Sequence, residues 1–320
     1  MIALFKKNTL TQILLILAIS LLCWGRWIIN PMAMLEPTDT APLYVLLYSW
    51  LSPYPYLCTI IALALIIVEA VFFNALLVKY GLSSNNTLMP TATFIMAMSA
   101  TNHTLTPFII INGLLLVVLY QVMLHSTPFT LSVNRISNAT ALISICGLFY
   151  YPAFAFILTY LFIVLSYRLY TWRDWAVMLL GLAAPLILLF GFLFLSNNWE
   201  KSMADVLGTM PMLQLQTEDI PVPNMLCNIV LTIVGFIGIV QLLSERSEHV
   251  ILWRKNAQDI AYIVPSALVV MLFSSLFPVN ISLFAMPIAI GEALFFLRRR
   301  KRQFVADALF IILIVATVVC

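Results

Sequence analysis

Leu57-Cys-Thr-Ile-Ile-Ala-Leu-Ala-Leu-Ile-Ile-Val-Glu69-Ala-Val-Phe-Phe-Asn74-Ala-Leu-Leu-Val-Lys79 is an apolar run broken by one acid and closed by one base. A helix that crosses a bilayer needs about 20 such residues, and this stretch supplies them. Beyond Lys79 no charge appears until Arg135, and none lies between Asp259 and Glu292. The whole chain follows suit: of its 320 residues 63% are hydrophobic and 9% charged, with a mean hydropathy of +1.04. A soluble domain carries roughly 25% charge. This composition excludes a soluble enzyme, a nucleic-acid binder, a secreted disulfide scaffold and a disordered chain. The sequence predicts an all-α polytopic transmembrane bundle, a single integral membrane domain over residues 1–320.

Apolar runs between turn and charge signals predict about eleven helices, or nine if the short runs do not cross. The spans are 9–29, 57–79, 88–101, 107–124, 138–150, 151–167, 175–196, 224–243, 259–277, 280–297 and 304–320. The runs 88–101 and 138–150 are short for a crossing. Pro90, Pro107, Pro152 and Pro223 fall near helix starts, where a missing N–H costs least. Pro185 and Pro265 fall inside spans and predict kinks.

Charge sets the orientation. With the N-terminus inside, fourteen of the sixteen Lys and Arg residues fall on the cytoplasmic side, from Lys6 and Lys7 to the run Arg298–Arg302. Only Arg26 and Lys201 fall outside. That bias is the positive-inside rule, and it puts the C-terminus outside. Two outer loops are long, 30–56 and 197–223. The short inner loops hold no nucleotide-binding motif. No HExxH, paired histidine or carboxylate cluster points to a metal or cofactor, and the five cysteines read as small apolar residues.

The first outer loop carries Glu36 and Asp39 and leads into an apolar stretch, 42–52, bounded by Pro42 and Pro53 and bearing Tyr44, Tyr48 and Trp50. It is too short to cross, and aromatic rings favour the interface. An acidic loop after the first span followed by an interfacial helix resembles the plan of polytopic (GT-C-like) glycosyltransferases that use lipid-linked sugar donors. That resemblance implies a carboxylate acting as general base on the acceptor, or positioning it. Asp39 is the first candidate and Glu36 the second; capping of the following helix is the alternative for Asp39, a solvated loop acid that for Glu36. Arg26, His103, Lys201, Tyr44 and Trp50 are the candidate substrate contacts. Arg26 would hold a lipid phosphate or pair with Asp39 or Glu36, or simply snorkel to headgroups, and His103 would contact phosphate or a leaving group, or form an ordinary turn. Glu69 and Asn74 lie within the bilayer and are candidates for an ion or proton path, or for an interhelical hydrogen bond. Glu292 reads as an acid paired with, or snorkelling beside, the arginines from Arg298 on.

Glu69-Ala-Val-Phe-Phe-Asn74, Leu88-Met-Pro90, Gly147-Leu-Phe-Tyr150-Tyr151-Pro152, Trp172-Arg173-Asp174-Trp175, Gly181 and Pro185 together resemble an uncharacterised family of bacterial inner-membrane proteins. The resemblance covers roughly residues 1–196. Some members carry the label carotene monooxygenase. It implies location and architecture, and no activity. Oxygenase chemistry needs an iron site built from several histidines. Only His103, His125 and His249 exist, and the topology puts the first on the opposite side from the others, so the sequence argues against that label.

The sequence thus points to envelope glycan or lipid assembly, with a glycosyltransferase- or polymerase-like enzyme acting at the outer face on polyprenyl phosphate-linked sugars. The expected partners are membrane lipids, not nucleic acid. Two alternatives stand beside it: a transporter or flippase, and a non-catalytic subunit of an envelope or secretion complex.

Overall fold

A computed structural model describes residues 5, 9–37, 41–83, 87–123, 133–166, 171–195, 230, 232–240, 244, 251–273, 279–298 and 303–319. Among these the chain is all-helical. Twelve α-helices have defined bounds: α1 Thr9–Ile29, α2 Pro42–Leu51, α3 Pro55–Lys79, α4 Met89–Ser99, α5 Pro107–Met123, α6 Val133–Phe149, α7 Ile157–Ser166, α8 Trp172–Leu195, α9 Ile251–Ala261, α10 Ile263–Leu272, α11 Ala285–Arg298 and α12 Gln303–Val319. A 3-10 turn, Tyr151–Phe156, leads into α7 and another, Val279–Phe284, into α11. Residues 232–240 are also helical.

Three of these helices, α1, α3 and α8, are long and apolar enough to cross a membrane. At 1.5 Å per residue α3 reaches roughly 37 Å, beyond the hydrocarbon thickness of about 30 Å. Their outward residues agree with lipid contact: Leu14, Leu17 and Leu21 on α1, and Leu180, Leu188 and Phe192 on α8, are exposed. Among the described residues the other expected spans are not seen as long single helices: several apolar runs are cut into shorter ones, and most of the run 224–243 lies outside the described residues. The run 151–167 opens with a 3-10 turn before the ten-residue α7. The run 259–277 is divided at Tyr262, between α9 and α10. Pro265 explains that break: its ring opposes the carbonyl four residues back, that of Ala261, which is where α9 ends. Around Pro185, by contrast, α8 runs on as one helix. Proline marks four of the starts, at Pro42, Pro55, Pro90 and Pro107. The expected interfacial segment is indeed a helix, α2.

The core is built around α4, every residue of which is buried. It packs against α1, α3, α11 and α12. Such a helix, apolar all round with small residues and methionines, belongs inside a bundle and not against solvent. Thr93 ties it to α11, its hydroxyl donating to the Ala289 carbonyl at 2.9 Å.

Candidate functional site

Where α1 ends, α4 ends and α5 begins, a polar joint is assembled. Trp24 is wholly buried, and its indole N–H donates to the Ser99 hydroxyl at 2.8 Å, pinning the end of α1 to the end of α4. The chain then turns through Thr101–Thr106. Asn102, fully buried, closes that turn in both directions. Its amide donates to the Met98 carbonyl at 3.0 Å, and its carbonyl oxygen accepts the Thr106 hydroxyl at 2.5 Å. Buried polar groups need such partners, so the turn has one geometry.

That geometry delivers His103 onto Trp27. The two rings stack with centroids 4.4 Å apart and planes 22° from parallel. The Arg26 guanidinium carbon lies 5.0 Å from the Trp27 ring centroid. Arg26 is exposed while Trp27 and His103 are half-buried. His103 Nδ1 is buried without a hydrogen-bond partner. Burial first, and the Arg26 charge second, push the imidazole down to about 4. At neutral pH the ring is therefore uncharged, and Arg26 is the cation that the described residues place at this joint's surface. A guanidinium on an aromatic face is attracted by the ring quadrupole and still offers its N–H groups to an anion in bidentate fashion. A neutral imidazole beside it offers either a proton acceptor or an N–H donor.

Two expected contacts, Arg26 and His103, are thus brought together, 77 positions apart in sequence. Trp27, which links them, was not singled out; its place beside Arg26 at a helix end was the available signal. The others fall differently. Glu36 is exposed in the loop after α1. Tyr44 is fully buried and its hydroxyl donates to the Leu35 carbonyl at 3.0 Å, so it fastens this loop to α2 instead of facing a ligand. Trp50, at the far end of α2, is 74% exposed. Asp39 and Lys201 lie outside the described residues.

The intramembrane candidates form a second region. Glu69 is buried on α3 and leans on α5 at Gly113, where a Cβ would come within 2.7 Å of Glu69 Oε1. A larger residue there would have to displace the Glu69 carboxyl. Glu69 Oε2 and Asn74 Oδ1 have no hydrogen-bond partner, so the expected interhelical bond is not formed through these atoms. Glu292, on α11, corrects its reading more sharply. It neither snorkels nor pairs with arginine: it is fully buried and both carboxyl oxygens lack a hydrogen-bond partner. Also missed were Lys255, Asn256 and Asp259 on α9, all buried. Their only sequence signal was a polar Lys-Asn-Ala-Gln-Asp segment at the head of an apolar run. Among the described residues no group of histidine, cysteine or carboxylates is placed to hold a metal.

Comparison with protein families, curated proteins and solved structures gives no match. What the chain does must be argued from these residues.

Proposed function

We propose that the chain is a multi-pass protein of a bacterial inner membrane that handles an anionic lipid, of the polyprenyl phosphate-linked sugar class, at the Arg26–Trp27–His103 joint. One observation carries this reading: an exposed guanidinium beside a tryptophan–histidine stack, held by a buried polar turn. A phosphate needs a bidentate cation, and a sugar favours an aromatic face. Orientation rests on charge bias, which puts this joint outside. Envelope glycan or lipid assembly is the corresponding role, with a glycosyltransferase- or polymerase-like step as its enzymatic form. Glu36 and Asp39, on the loop between α1 and α2, are the carboxylates that such a step would use as base.

Mass spectrometry of lipids retained through gentle purification tests the reading. Wild-type protein should carry a polyprenyl phosphate or its sugar adduct, and Arg26→Ala should lose it. Equal retention of bulk phospholipid alone by both proteins would contradict the reading.

A transporter or flippase is the second reading, favoured by Glu69 lying buried against Gly113 in the longest apolar helix. Buried acids at membrane depth mark ion and proton paths, and interrupted helices such as α9–α10 are common around such sites. Loss of function confined to Glu69→Gln, with Arg26→Ala tolerated, would favour transport.

A further inference from the structure

Glu292 is the one acid among the described residues that is wholly buried with both oxygens unpartnered. It sits on α11 beside a backbone-to-backbone contact. A Cβ on Gly238 would fall upon the Gly291 carbonyl, and one on Gly291 upon the Gly235 carbonyl. The helical stretch 232–240 therefore touches α11 directly at the residue preceding Glu292, the close approach that small residues permit between membrane helices. On the α4 side, the nearby Thr93 hydroxyl is already committed to Ala289.

α11 packs against α4, the Val279–Phe284 turn and α9, against 232–240 at the glycines, and against α12 through the Phe296–Phe310 ring contact, with Asp307 on that helix three residues before Phe310. Neither α4, nor the turn, nor 232–240 carries a titratable side chain. On α9 stand Arg254, exposed, and Lys255 and Asp259, both buried. Arg298 closes α11 itself. None of these hydrogen-bonds the Glu292 carboxyl. An ionised carboxylate in so apolar a setting is not sustained without a balancing charge. A metal cation would need several further oxygen ligands, and among the described residues no cluster of histidine, cysteine or carboxylates is placed to hold one. A proton needs none.

We propose that Glu292 is a proton-binding site inside the bundle, which releases its proton when the glycine crossing between 232–240 and α11 parts and water reaches the carboxyl. The proposal does not depend on the reading of the Arg26 joint, since it concerns a different region and a different ligand. It would give the chain a proton-linked conformational step whatever substrate it handles.

Infrared difference spectroscopy of the full chain in lipid, wild type minus Glu292→Gln, tests it. At neutral pH the expected result is a protonated-carboxyl stretch. It should shift in heavy water, and a carboxylate band should replace it as the pH is raised. A carboxylate band alone at neutral pH overturns the proposal. So does a protonated band that neither exchanges nor titrates, which would mark a locked structural acid. Loss of the band on adding sodium ions at constant pH would show a cation site instead, and would also overturn it. Should Glu292→Gln not fold, wild-type protein treated with a hydrophobic carbodiimide gives a second measurement. A protonated carboxyl adds across one C=N bond, its proton passing to nitrogen and its oxygen to carbon, and acyl migration then fixes the adduct with no atom lost. An adduct mapped to Glu292 that fades as pH rises supports the proposal. Its absence at every pH, or reaction with a water-soluble carbodiimide instead, overturns it.

Discussion

The two ends of the bundle hold their cations in different ways. At one end Arg26 stands on the Trp27 face beside a neutral His103, above a turn closed by Asn102 and anchored by buried Trp24. At the other, Lys79 Nζ lies 5.1 Å from the Tyr120 ring centroid and 5.7 Å from that of Tyr80. Arg135 is close enough to act electrostatically on Tyr80, and Asn256 donates to the Tyr80 carbonyl at 3.4 Å. The second arrangement sets Lys79 against two tyrosine rings at helix ends, with Arg135 near enough to act on one of them, as expected of a topology anchor. The first, among the described residues, is one cation on a hydrogen-bonded polar joint. The same pairing of cation and ring would thus serve an anchor at the Lys79 end and a candidate ligand site at the Arg26 end.

Removing the support of one end should break that comparison most severely. Trp24→Ala takes away a fully buried indole and the α1–α4 hydrogen bond, and should cost about 3–5 kcal/mol. The readout is the thermal midpoint and folded yield in detergent; unchanged values would show that the joint is not built on Trp24. Between the two ends, Gly113→Val should drive a side chain into Glu69 and cost about 1–3 kcal/mol. Glu69→Ala in the same chain should restore much of it, and a double-mutant cycle with no coupling would refute that contact.

The pH response should separate the ends next. Folded His103 stays neutral down to about 4, whereas the unfolded imidazole takes a proton near 6.5. Protons therefore favour the unfolded chain between those values. The stability that neutral His103 contributes is complete above about 6.5 and falls by about 1.4 kcal/mol per pH unit below it, levelling off near 4. His103→Gln should flatten this part of the profile; parallel profiles would show that the histidine is not held neutral. The smallest effect belongs to the anchor. Lys79→Ala removes an exposed cation–ring contact worth about 0.5–1 kcal/mol, so its midpoint should move least in the set.

Much of the helical plan was legible from apolar runs and prolines. The long runs became α1, α3 and α8, and Pro42, Pro55 and Pro107 open their helices because a lost N–H is harmless there. The number of crossings was not legible, since apolar composition persists through breaks such as that at Tyr262 and through 3-10 turns. Hydropathy registers what lipid or core accepts, not where hydrogen bonding lapses. At the site, Arg26 and His103 were readable singly as polar residues at apolar ends. Their meeting through Trp27 depends on how α1 packs on α4, which no local pattern encodes. Glu292 was misread for the same reason. Its nearness in sequence to Arg298 suggested a pair, but α11 turns the acid into the bundle.

The central claim is that the Arg26 joint takes a phosphate-bearing lipid whereas the Lys79 end only anchors. Phosphorus NMR of a polyprenyl phosphate in detergent, titrated with the full chain, tests it directly. A saturable shift that is lost in Arg26→Ala and kept in Arg135→Ala is the predicted result. An equal response from both variants, or none from the wild type, would contradict it.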